Sequence, residues 1–141
     1  MVKHLLAIDD VEDDFEMILK WAIEFKRLWK QGDDVAINFM PLDTLAVGSI
    51  YEKPSTRTRV SFEVGINRLG GYPLTLLKND IQLGKSETVG DTSQVLSRFL
   101  GAMTYRCFSH SDVAELAKYA DVPVLNALSD KHHPCQSAAD L

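Results

Sequence analysis

The feature that most constrains this chain is an alternation. Four short apolar runs recur along it: "TLAVGSIY" (44–51), "YPLTLL" (72–77), "AMTYRCF" (102–108) and "VPVLNAL" (122–128). Each has strand length and strand composition. Between them lie segments with helical spacing: "TRVSFEVGINRLGG" (58–71), "VGDTSQVLSRFL" (89–100) and "SDVAELAKYA" (111–120), the last with Ser111 as its cap. A helix over Asp10 to about Lys30 precedes the series, with Asp9 or Asp10 as cap and Gly32 as stop. After the last strand, "SDKHHPCQSAADL" reads as a loop entering a further helix, with Pro134 in its first turn. The segment 78–88, "KNDIQLGKSET", is polar and lacks periodicity. Strands that alternate with helices predict an α/β fold, here a four-stranded parallel sheet flanked by helices in three layers.

The 141 residues suit one domain with a real core. A net charge of −5 argues against DNA or another long polyanion as partner. A small phosphate needs only a local cluster of donors, so it stays open. Cys107 and Cys135 stand far apart and suggest a reducing compartment without a disulfide framework. The acidic N-terminus fits no targeting peptide, no run reaches membrane-span length, and the expected location is cytoplasmic.

Parallel α/β sheets bind ligands outside the carboxyl ends of their strands. Ser55, Thr56, Arg57 and Thr58 follow the first strand, Arg106 ends the third, and His132, His133 and Gln136 follow the fourth. All fall on one predicted edge. The Ser55–Thr58 stretch opens a helix, whose free N–H groups and dipole attract an anion. Arg57 adds a planar fork that matches phosphate oxygens. The alternative is an ordinary cap at Ser55 with a solvated Arg57. Arg59 stands four residues before Glu63 and is expected to pair with it along the helix. Arg106 pairs either with an internal carboxylate or with a bound anion, and its strand-end position favours the anion. "HHPC" lacks a second ligand cluster, and His4, His110 and Cys107 are isolated, so no metal is expected. "LGKS" (83–86) is not a nucleotide loop, because Asn79 stands where its first glycine belongs. No nucleophile arrangement is evident, and catalysis would rest on positioning and charge stabilisation. No cofactor is expected.

"EKPSTRTRVSFE", "IQLGKSETVGDTSQVLSRF", "YRCFSH" and "HHPCQ…ADL" resemble the carbamoyl-phosphate domain of the aspartate/ornithine carbamoyltransferases, and the wording leans to the ornithine branch. The resemblance covers essentially the whole chain, with Tyr51 where Phe is commoner. It implies that Ser55, Thr56, Arg57 and Thr58 hold the phosphate of carbamoyl phosphate. Arg106 would bridge the phosphate and the carbonyl oxygen, to which His133 and Thr58 also donate. Gln136 would bind the carbamoyl amino group. Arg57, Arg106 and His133 would be the catalytic residues. The resemblance further implies a homotrimer, with Gln82 reaching into a neighbour's site, and a role in arginine metabolism. Residues 1–141 would then be the carbamoyl-phosphate-binding domain of an enzyme whose second, amino-acid-binding domain this chain lacks. Alone it should bind carbamoyl phosphate better than it turns it over. An aspartate or other-amine carbamoyltransferase domain, and a non-catalytic anion-binding or trimerisation module, remain the alternatives.

Overall fold

A computed structural model describes residues 2–32 and 38–140. Four parallel strands form one sheet: β1 Ala46–Tyr51, β2 Tyr72–Leu77, β3 Ala102–Arg106 and β4 Val124–Leu128. Their spatial order is β2-β1-β3-β4. The helices are α1 Phe15–Gln31, α2 Thr56–Arg68, α3 Val89–Ser97, α4 His110–Tyr119 and α5 Pro134–Ala139. The expected α/β fold with a four-stranded parallel sheet is the observed one. Leu141, where the sequence ends, lies outside the described residues.

Each strand sits where its residues permit. β1 is central and buried from Val47 to Tyr51. Gly48 lets Leu100 approach closely, since a Cβ there would stand 2.5 Å from Leu100 Cδ1. β2 is an edge strand, and only there is Pro73 tolerated within a ladder. At the other edge, Leu5 bridges to Leu125. Leu5 N–H donates to the Val124 carbonyl at 2.9 Å, and Asn126 N–H to the Leu5 carbonyl at 2.8 Å, so the N-terminal segment covers β4.

The main core lies on one face of the sheet. Ile50, Met103, Tyr105 and Val124 project from the strands against Leu100 and against Val113, Leu116 and Ala117 of α4. Leu83 from the polar connection is buried in the same cluster, so that segment is anchored although it lacks periodicity.

Several boundaries differ from the sequence reading. The first helix is two pieces: a 3₁₀ helix, Ile8–Asp14, then α1. The Asp10 carboxylate accepts from the N–H groups of Leu6 and Ala7 at 2.7 and 2.8 Å, so it caps the 3₁₀ turn and not the α-helix. Gly32 does stop α1, with φ at +67°. The cap of α4 is Ser109, whose hydroxyl accepts from Ser111 N–H at 3.3 Å, and not Ser111. β1 begins at Ala46, after a turn in which Thr44 has φ of +66°. α2 starts at Thr56, two residues earlier than expected, and ends at Arg68. α3 ends at Ser97, β3 at Arg106, and β4 begins only at Val124, after Pro123.

Candidate anion-binding site

The strand order reverses between β1 and β3: the chain leaves β1 for β2 on one side and returns to β3 on the other. Loops at such a reversal part and leave a crevice. A cavity of about 490 Å³ opens there, lined by Pro54, Ser55, Thr56, Arg57, Thr58, Ser61, Phe62, Arg106, His133, Cys135 and Gln136. The three strand-end clusters therefore meet in one place. Gln82 does not line it; it is exposed, and its Oε1 accepts from Ser86 Oγ at 3.2 Å. His132 does not line it either, and its ring stacks edge-on against His110.

Ser55 stands at the N-cap of α2 in extended backbone, yet its side chain makes no capping hydrogen bond. The first-turn N–H groups of a 13-residue helix therefore face the cavity without a side-chain cap. This departs from the ordinary-cap alternative. Arg57 is exposed and forms no ion pair with a carboxylate among the described residues. Arg59 does pair: its Nε lies 2.9 Å from Glu63 Oε1, one helical turn on.

Arg106, the last residue of β3, is partly buried. Its Nη1 donates to Thr58 Oγ1 at 3.1 Å, which ties the strand end to the start of α2. Its Nε is buried with no hydrogen-bond partner, and among the described residues no carboxylate forms an ion pair with it. Of the two partners considered for this guanidinium, the internal carboxylate is not there.

His133 enters from the β4–α5 loop. Its Nδ1 accepts from Gln136 N–H at 3.4 Å, which leaves the proton on Nε2 and makes that nitrogen a donor. Burial and then the Arg106 charge hold His133 below the usual histidine value, against a weaker pull from Asp140, so the ring is neutral near pH 7. Gln136 Nε2 donates to Asp140 Oδ1 at 2.7 Å, leaving its amide oxygen as acceptor.

Two supporting residues were given no role by the sequence, although Glu52 opens the stretch "EKPSTRTRVSFE". Asn126 is fully buried, and its Nδ2 donates to the Leu6 carbonyl, Ser129 Oγ and the His132 carbonyl at 2.9, 3.1 and 3.2 Å. It pins the loop that carries His133. Glu52, just after β1, accepts from Lys78 Nζ at 2.6 Å, Tyr105 OH at 2.9 Å and Phe108 N–H at 2.8 Å. Burial pushes its carboxyl up, but the hydrogen bonds from Lys78, Phe108 and Tyr105, with the Lys78 charge, outweigh that and hold it below the usual range. Glu52 thus clamps the loops after β1, β2 and β3 together. The one signal available was a lone acid directly after an apolar strand. Cys135 and Phe62 line the cavity at helical positions, though neither was expected to be a site residue. Among the described residues, no group of three or more His, Cys, Asp or Glu could hold a metal, and no helix is long and apolar enough to cross a membrane.

Residues 3–141 match the family described as "Aspartate/ornithine carbamoyltransferase, carbamoyl-P binding domain". An ornithine carbamoyltransferase of Anoxybacillus flavithermus is 45% identical over 140 residues, which is 99% of this chain and 43% of that relative. One of Thermococcus kodakarensis is 48% identical over 139 residues, again 43% of the relative. The solved ornithine carbamoyltransferase of Pyrococcus furiosus superposes with a TM-score of 0.91 at 45% identity, covering 98% of this chain and 43% of that one. The chain thus spans less than half the length of the relatives it matches.

Proposed function

The chain belongs to the aspartate/ornithine carbamoyltransferase family, as its carbamoyl-phosphate-binding domain, and from that premise we propose that the cavity between β1 and β3 binds carbamoyl phosphate for transfer to an amine. One observation carries this reading. A partly buried Arg106 without a carboxylate partner faces an uncapped helix start, Arg57 and a neutral His133 across one cavity. A buried cation in such surroundings calls for an anion.

In this reading the N–H groups and hydroxyls of Ser55, Thr56 and Thr58 hold the phosphate, with Arg57 as its fork. Arg106 spans the phosphate and the carbonyl oxygen. His133 Nε2–H and Thr58 donate to the same oxygen, and Gln136 Oε1 accepts from the carbamoyl amino group. The side-chain amine of ornithine attacks the carbamoyl carbon. Negative charge grows on the carbonyl oxygen and the leaving phosphate, and these donors oppose it most strongly in the transition state. Ornithine itself would be held by a second, amino-acid-binding domain. Gln82 would act on a neighbouring subunit of a homotrimer, which accounts for an exposed side chain that does not line this chain's own cavity. A cytoplasmic enzyme of arginine metabolism fits this chemistry.

Calorimetry with carbamoyl phosphate tests the site. Binding is expected, and Arg57→Ala should weaken it at least tenfold; no binding at millimolar ligand would sink the reading. Citrulline formation from carbamoyl phosphate and ornithine, assayed with the amino-acid-binding domain of a relative supplied, tests the transfer step: citrulline is expected, and binding without transfer would leave a binding module.

A further inference from the structure

Among the described residues, the buried side-chain polar atoms without a partner are Ser49 Oγ, Tyr51 OH, Thr104 Oγ1 and Arg106 Nε. Their placement has a pattern. Ser49 and Tyr51 are two apart on β1, and Thr104 and Arg106 two apart on β3, so each pair shares a sheet face. The parallel register sets Ser49 beside Thr104 and Tyr51 beside Arg106. The four side chains thus share one face of the two central strands, opposite Ile50, Met103 and Tyr105. The next residue across the row, Thr75 of β2, pairs with Ser49 and donates its hydroxyl to Glu63 of α2, so the patch lies on the α2 side of the sheet. Ser49, Tyr51 and Thr104 are 2%, 4% and 2% exposed.

Leaving four polar atoms buried and unsatisfied side by side is costly, on the order of 1–3 kcal/mol for each. Native proteins meet such clusters with ordered water, which needs two to four polar partners. The patch offers that many, of mixed donor and acceptor character: three hydroxyls and one N–H. It also ends at the guanidinium that the cavity uses. Burial raises the Tyr51 hydroxyl above its ordinary value and a hydrogen-bonding contact from Ser49 works against that, so the two β1 hydroxyls lie near each other although neither has a partner of full hydrogen-bond geometry.

We propose that Ser49, Tyr51 and Thr104 form a buried hydroxyl floor that takes ordered water beneath α2 and, through it, holds the Nε–H of Arg106, making Tyr51 a positioning residue for that guanidinium. Arg106 is then fixed from two sides, by Thr58 at Nη1 and by the floor at Nε. The consequence for anion binding rests on the carbamoyl-phosphate reading; the floor itself does not.

The test is a nitrogen–proton correlation spectrum of the arginine Nε–H groups of the unliganded chain, with the Arg106 signal identified by its loss in Arg106→Lys. Arg106 Hε should exchange slowly and show a cross peak to bound water. Tyr51→Phe and Thr104→Val should each shift that signal and weaken carbamoyl phosphate binding about three- to tenfold, the worth of one net hydrogen bond. An Hε signal that is lost to fast exchange in the wild type, or unmoved by both variants, overturns the proposal. So does a rise in melting temperature for Tyr51→Phe, because deleting a hydroxyl from a dry patch removes a desolvation cost. Failure of the wild type to bind carbamoyl phosphate would instead sink the site reading, while the unliganded spectrum would still decide on the floor.

Discussion

At the scale of single residues, the cavity separates cations by their partners. Arg59 is neutralised by Glu63 and stays out of the cavity, whereas Arg57 and Arg106 line it without a carboxylate. Arg106→Gln should therefore weaken carbamoyl phosphate binding by about 30- to 150-fold, the ~2–3 kcal/mol of hydrogen bonding to a charged group, read by calorimetry. Arg59→Gln should leave affinity within about twofold, the small worth of an exposed pair, and an equal loss in both variants would refute the distinction. A pH prediction follows from the histidines. His133, His4 and His110 are all held below their usual value, in each case by burial first. The folded chain then binds fewer protons than the unfolded chain. Stability is fully present above the unfolded value of about 6.5 and falls as pH drops below it. Melting curves between pH 7.5 and 5.5, a range set around that ~6.5 value, should show a steady decline, and a flat profile would count against it. Ser55, Thr56, Arg57, Thr58, Arg106, His133 and Gln136 were legible as cavity residues because strand-end position and residue type both point there. Asn126 and Glu52 were not, because their importance lies in partners distant in sequence, such as Leu6 for Asn126 and Phe108 for Glu52.

At the scale of elements, α2 matters most, since it presents its start to the cavity. Its exit is fixed by Gly70, at φ +85°, where a Cβ would lie 2.6 Å from Met40 Cβ. Gly70→Ala combines left-handed strain with that clash and should cost about 2 kcal/mol or more, measured by denaturant unfolding. The clamp at Glu52 joins three strand ends. Glu52→Ala would strand the Tyr105 hydroxyl and the Phe108 N–H and should cost about 2–4 kcal/mol, from ~1–2 for each orphaned donor. A loss under 0.5 kcal/mol would show that the clamp is dispensable, being below the ~0.5 kcal/mol net worth of even one hydrogen bond. Elements were readable from periodicity, and β2 was placed to the residue. Ends were less so. The helical spacing reads from Thr58, whereas the helix begins at Thr56, directly after Ser55 at the N-cap position. The break between the 3₁₀ turn and α1 has no periodic signal, because Ile8, Val11, Phe15 and Ile18 keep helical spacing across it.

At the scale of the whole molecule, several large apolar side chains remain open on this chain: Ile23, Tyr72 and Phe99 are 67%, 67% and 77% exposed. Sedimentation at increasing concentration should reveal a trimer, and a monomer throughout would remove the cross-subunit role given to Gln82. The sequence by itself determined the fold class and the chemistry. The alternation of strand and helix periods dictates a parallel sheet, a parallel sheet directs ligands to the strand ends, and the residues there are donors and cations. Tertiary structure alone decided the rest. Periodicity says that strands pair, not which neighbours they choose, so the order β2-β1-β3-β4 and the crevice at its reversal came only from packing. Likewise, the absence among the described residues of an ion-pair partner for Arg106, and the row of hydroxyls on its face of the sheet, depend on what lies across a strand and not along it.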